Sequence, residues 1–171
     1  MLDDIDRRIL HLLRADARMS NAAIARDVGL TASAVYQRIK KLEGEGVIRG
    51  FHAHLDPDAL DRGLLAYVAV QTGEGARADE TAALLAAIDD VLEVHRVVGN
   101  DCFFLKVRVR DTQGLGVLLD ERIQPLEPVA STRTTIVLST AKDEIPGGQL
   151  EGSGDVPVRS RTAKANEAFV K

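Results

Sequence analysis

Between Ser20 and Leu42 the chain reads SNAAIARDVGLTASAVYQRIKKL, and no other stretch restricts the fold so tightly. Ser20 is suited to cap a helix, because its hydroxyl accepts a bond from a backbone N–H left unpaired in the first turn. Ala23, Ile24 and Val28 then supply a buried side, and Gly29 ends the helix where a left-handed residue is required. Leu30 fills the corner, and Thr31 caps the next helix two residues after the glycine. Two capped helices joined by so short a turn form a helix-turn-helix.

In the second of these helices, an advance of about 100° per residue puts Val35, Ile39 and Leu42 in one narrow sector that packs inward. Ser33, Gln37, Lys40 and Lys41 lie opposite, with Ala34, Tyr36 and Arg38 on the flanks. Amide, hydroxyl and guanidinium groups can bond base edges, a small methyl can touch thymine, and lysine suits phosphate. A solvated amphipathic helix shows the same pattern, so the rest of the chain must decide. The candidate DNA contacts are Thr31, Ser33, Ala34, Tyr36, Gln37, Arg38, Lys40 and Lys41, with Arg49 just beyond. Of these, Lys40, Lys41 and Arg49 are expected on phosphate, and Ser33, Ala34, Gln37 and Arg38 on bases.

Charge is distributed accordingly. The net charge is −4, yet residues 1–55 carry nine Lys and Arg against seven Asp and Glu, whereas residues 56–140 carry eight against fourteen. An anionic partner therefore fits the first part and not the second. Apolar residues make up 45% of the chain but aromatics 4%, with no Trp, so its cores must be aliphatic. The single cysteine, Cys102, excludes an intramolecular disulfide framework, and the start MLDDIDRRIL lacks the pattern of a signal peptide. No apolar run approaches the roughly 18 residues of a membrane span. These features predict a soluble protein of a reducing compartment, the cytoplasm, with no membrane partner.

Before the helix-turn-helix, Asp3 or Asp4 can cap a helix whose stripe is Ile5, Ile9, Leu12 and Leu13, with Asp6 near its N-terminal dipole. After it, Val47 to Leu55 reads as a two-stranded wing bent at Gly50, completing a winged helix over residues 1–55. Residues 56–63 form a linker with one helical turn after Pro57. From residue 64 to 142 the pattern predicts a strand (64–72), a helix (78–90), strands at 91–98 and 102–110, a helix (111–126) and a strand (129–140). That order is the ferredoxin-like βαββαβ unit, a four-stranded antiparallel sheet with both helices on one face. The fold class is therefore α+β. Apolar residues on both strand faces predict that a second copy covers the open face, giving a homodimer. Two such domains would set recognition helices about 34 Å apart, one turn of duplex. Residues 143–171, rich in glycine at first, are expected to be a flexible tail.

The run DIDRRIL, the corner VGL with its polar cap, and the continuation RIKKLEGEGVIRG, followed by a ferredoxin-like unit, resemble the Lrp/AsnC or feast/famine family over residues 1 to 142. The resemblance implies a DNA-binding transcription regulator, associated with the nucleoid, that forms dimers through the C-terminal domain and also octamers. It further implies an amino-acid effector bound between dimers at a glycine followed by a short acidic stretch. Here VVGNDCFFLKV supplies Gly99, Asn100 and Asp101. The family's aspartate stands three positions after the glycine, where this chain has Cys102, and Asp101 offers the nearest carboxylate for the effector's ammonium. Thr134, Thr135 and Ile136 match positions that line the family's pocket.

Cys102 by itself reads as a small buried hydrophobe. His52 and His54 have no further ligands at metal-binding spacing, so exposure or phosphate contact is expected for them. His95 is expected in the sheet near the effector loop. No nucleophile stands in a hydrolase setting and there is no phosphate-binding glycine loop, so neither an enzyme nor a cofactor is expected. The leading expectation is thus a sequence-specific, amino-acid-responsive regulator. An architectural DNA-binding protein without a ligand, and an amino-acid-sensing interaction module that does not bind DNA, remain the alternatives.

Overall fold

The computed structural model describes residues 1–142. The expected tail at 143–171 lies outside them. The described chain divides into two compact units, one spanning Met1–Ala53 and one starting at His54.

In the first unit, α1 (Asp4–Ala15) begins with a reciprocal cap in which Asp3 accepts from the Asp6 backbone N–H and Asp6 accepts from that of Asp3. Two orphan donors of the first turn are satisfied at once. Helix α2 (Asn21–Val28) is capped by Ser20, whose hydroxyl accepts from the Ala23 N–H at 3.2 Å. It ends at Gly29, with φ at +69°, a conformation that costs a side-chain-bearing residue about 1–2 kcal/mol. Helix α3 (Ala32–Gly44) starts on Thr31, whose hydroxyl accepts from the Ala34 N–H at 3.2 Å. Ile9, Leu12, Leu13, Ile24, Ala25, Val35 and Ile39 are buried together between the three helices. Arg8 clamps α1 to α2 through two bonds to Asp27, at 2.6 and 2.8 Å.

The expected two-stranded wing does not form. Residues 47–55 contain no strand, because the Val47 and Ile48 N–H groups both donate to the Leu42 carbonyl and hold the chain against the end of α3. Gly50 then turns at φ +156°, and an isolated two-stranded ribbon has little stability of its own.

The second unit opens with a single 3₁₀ turn at Asp58–Leu60, followed by β1 (Leu64–Thr72), α4 (Ala78–Ala86), β2 (Val91–Arg96) and β3 (Phe103–Val109). Helix α5 (Thr112–Val117), a π-helical turn at Leu118–Ile123 and β4 (Val129–Ile136) complete it. The strands lie in the order β2-β3-β1-β4, all neighbours antiparallel. Val68, Val70, Leu105 and Val107 point to one face, where Leu85 and Ile88 from the α4 side and Leu115, Leu118 and Ile123 from the α5 side cover them.

Both helices are shorter than expected. The turn after Ala86, with Ile88 N–H on the Leu85 carbonyl, still delivers Ile88 to the core. In an ideal α-helix Leu118 and Ile123 would diverge by about 140°. The wider π-turn, closed by Gln124 N–H on the Leu119 carbonyl, lets both be buried.

On the opposite sheet face Tyr67 stacks on Phe104, with ring centroids 5.6 Å apart. Glu93 accepts from Lys106 at 3.2 Å and pairs with His95 at 3.0 Å beside them. His95 is therefore a sheet residue, as its place in the sequence led us to expect.

Candidate DNA-binding helix and effector cavity

Because Val35, Ile39 and Leu42 are 0%, 8% and 1% exposed, the outward direction of α3 is fixed. Ser33, Tyr36, Gln37, Lys40 and Lys41 are exposed on that side, as are Thr31 at its cap and Arg49 beyond it. Ala34 is half-buried. Thr31 and Ser33 share a hydroxyl hydrogen bond of 3.0 Å. Lys40 lies 5.9 Å from the Tyr36 ring centre and pairs with Glu43 at 2.7 Å, which raises its pKa. Lys41 makes a looser 3.8 Å pair with Glu45.

Arg38 departs from the expected role. Its Nη1 donates to Asp3 at 2.6 Å and to Asp6 at 2.7 Å, so the guanidinium is turned to the cap of α1 instead of being offered to a base. Hydrogen bonds from the Asp6 backbone and from Arg38 hold the Asp3 carboxyl below its ordinary pKa, and both carboxylates hold the Arg38 pKa above its own.

In the second unit, the turn between β2 and β3 passes through Gly99 at φ +139°. Asn100 is fixed through its carbonyl, which accepts from the Gln71 side chain at 3.1 Å, and Gln71 in turn accepts from the Ser131 hydroxyl at 2.9 Å. Asp101 accepts from Arg133 at 2.7 Å.

Gly99 and Asp101 line a cavity of about 590 Å³ whose wall also includes Thr72, Ala78, Arg96, Val97, Cys102 and Phe103. Cys102 is half-buried; it packs against the core, as expected of a small hydrophobe, and also lines this space. Thr72 donates its hydroxyl to the thiol sulfur at 3.2 Å, and this bond lowers the thiol pKa.

Thr134, Thr135 and Ile136 are not brought to this wall. Register sets them opposite Val68, Tyr67 and Ala66, further along the sheet, and their neighbour Arg133 is the β4 residue that reaches the loop. Sequence reading passed over Arg96, Thr72 and Arg133. The available signal was strand pairing, which sets Arg96 opposite Phe103 beside the loop.

Two family models match the chain: an AsnC-type helix-turn-helix domain over residues 2–43 and an Lrp/AsnC ligand binding domain over residues 65–146. The transcriptional regulator AldR of Mycolicibacterium smegmatis is 37% identical, over 85% of this chain and 86% of its own length. The chain belongs to the Lrp/AsnC family. It is a helix-turn-helix transcriptional regulator, and the family is not one of enzymes.

The leucine-responsive regulatory protein of Salmonella typhimurium is 36% identical, over 82% of this chain and 87% of its own length. Among solved structures, AsnC of E. coli superposes with a TM-score of 0.80 at 26% identity, covering 85% of this chain and 98% of its own. A feast or famine regulatory protein from M. tuberculosis, complexed with L-methionine, gives a TM-score of 0.80 at 35% identity, covering 86% and 99%. In this Lrp/AsnC chain, then, α3 is the second helix of the helix-turn-helix, and the cavity at Gly99–Asp101 belongs to the ligand binding domain.

Proposed function

We propose that this regulator reads duplex DNA with Ser33, Ala34 and Gln37 on base edges, while Thr31, Tyr36, Lys40, Lys41 and Arg49 contact the backbone. The observation that carries this reading is the fixed outward direction of α3, which leaves its amide, hydroxyl and ammonium groups facing away from the core. Arg38 serves in it through its grip on Asp3 and Asp6. Residues 1–55 bind DNA, residues 56–63 link, and residues 64–142 sense and assemble, in the cytoplasm and on the nucleoid.

The effector in this reading is an amino acid seated at Gly99, Asn100 and Asp101, with its ammonium on the Asp101 carboxylate, a short charge-assisted bond. The L-methionine complex of the M. tuberculosis relative supports that class of ligand. The open sheet face around Tyr67 and Phe104 packs on a second copy, and dimers assemble further, to octamers. Of the three β4 residues expected at the effector, Thr135 lies opposite Tyr67 on this face, and Thr134 and Ile136 lie opposite Val68 and Ala66 on the other. Binding changes assembly or operator affinity to the extent that the ligand prefers one state over the other.

Selection of bound sequences from random duplexes at about 0.15 M salt, with and without a pool of amino acids, tests the whole. A palindrome with half-sites one turn apart and an amino-acid effect are expected. Tight binding without sequence enrichment would replace this reading with an architectural one, and absence of binding even at low salt would remove DNA as the partner.

A further inference from the structure

The cavity at the β2–β3 turn is lined by one cation, Arg96, and one anion, Asp101. Their circumstances differ. Asp101 is already held by Arg133 at 2.7 Å, and its side chain is 18% exposed. The Arg96 side chain is exposed and, like that of Arg122, has no hydrogen bond or ion pair among the described residues, whereas Arg62, Arg77, Lys106 and Arg133 in the same unit each have an acidic partner. Arg96 is the last residue of β2 and is paired with Phe103 across the ladder, so it shares the helix-covered face with that buried ring.

Cys102 lines the same cavity as the two charges. The remaining wall is short and apolar at Ala78, Val97 and Phe103. The Thr72 hydroxyl is committed to the cysteine sulfur. Nothing else on this wall is suited to a charged side chain.

Resting on the reading that this cavity takes an amino acid, we propose that Arg96 holds the ligand's α-carboxylate while Asp101 holds its ammonium. A guanidinium is a planar fork matched to a carboxylate and is weakly hydrated, so it can be drawn onto such a group from an apolar wall. Within that class, the short apolar wall at Ala78, Val97 and Phe103 favours an uncharged, apolar side chain of moderate size.

Calorimetric titration of the full chain with each of the twenty amino acids, and then with the α-amide and N-acetyl derivatives of the tightest, tests this. The wild type should bind the amino acid about tenfold or more tighter than either derivative. Arg96→Gln should weaken the amino acid about tenfold and leave the α-amide within about twofold, and Arg96→Lys should restore part of the loss. Equal weakening of acid and amide by Arg96→Gln, or no weakening of either, overturns the assignment of Arg96 and leaves the amino-acid reading standing. If the wild type binds none of the twenty, that reading falls, and the role of Arg96 with it.

Discussion

The guanidinium of Arg38 lies 2.7 Å from the carboxylate of Asp6, whose side chain is only 4% exposed. Helix α3 is thus fastened to the first turn of α1 by the same groups that cap α1. Arg38→Ala leaves a buried carboxylate without its cation, which is expected to cost about 1–3 kcal/mol. Chemical unfolding should show this loss. A variant that folds as stably as wild type but reads a relaxed operator would return Arg38 to the bases.

Gln37 and Lys41 should separate in the opposite sense. Gln37→Ala is expected to relax preference at one or two base pairs at about 1–3 kcal/mol, and Lys41→Ala to weaken all sequences alike and flatten the salt slope by about one. Binding isotherms on an operator and a scrambled duplex across a salt series distinguish the two. Equal losses on every duplex for both variants would show that the assignment of the helix face is wrong.

Acid should loosen the cap. Asp3 is held below its reference value of 3.8 by the Asp6 backbone N–H and then by Arg38. The folded pKa is therefore the lower one, and the contribution is complete above the unfolded value and lost as pH falls through the folded one. Melting temperatures measured downward from pH 6 should drop below about pH 4. Asp3→Asn, which still caps a helix, should drop less steeply. Parallel curves for the two proteins would exclude Asp3 as a source of the acid sensitivity.

Phe104 is 39% exposed and stacked on Tyr67 in the middle of the open sheet face. Phe104→Arg is expected to weaken self-association by about 2 kcal/mol or more, roughly thirtyfold in Kd. Sedimentation over a concentration series reads this directly, and unchanged association would place the dimer contact elsewhere.

Much of this architecture could be read from local chemistry. Ser20, Gly29 and Thr31 each act within three or four residues of themselves, so the corner of the helix-turn-helix could be inferred without tertiary information. The alternation of Phe103 to Val109 was equally plain, because one face had to be dry. What failed depended on partners outside the pattern that each stretch shows by itself. The wing was lost to the Leu42 carbonyl, which captures Val47 and Ile48. Arg38 stands about 60° from the Val35 direction on an ideal helix, close enough to the core to be claimed by Asp3 and Asp6 from 32 to 35 residues away. Arg96 shows no motif and gains meaning only from what surrounds it.

The Asp101–Arg133 contact joins the cavity loop to an edge strand with an oxygen that an incoming ammonium would also seek. Arg133 is 72% exposed and sits opposite Ala69, on the sheet face that carries Tyr67. An ammonium that captures Asp101 hands that face an uncompensated positive charge. Ligand and Arg133 then compete for a single carboxylate, and on the proposed packing of that face against a second copy, whatever factor the ligand imposes on assembly, assembly must impose on the ligand. Effector affinity measured on dilute protein should accordingly differ from that measured on concentrated protein, and the ratio between them is the strength of the signal the regulator can send.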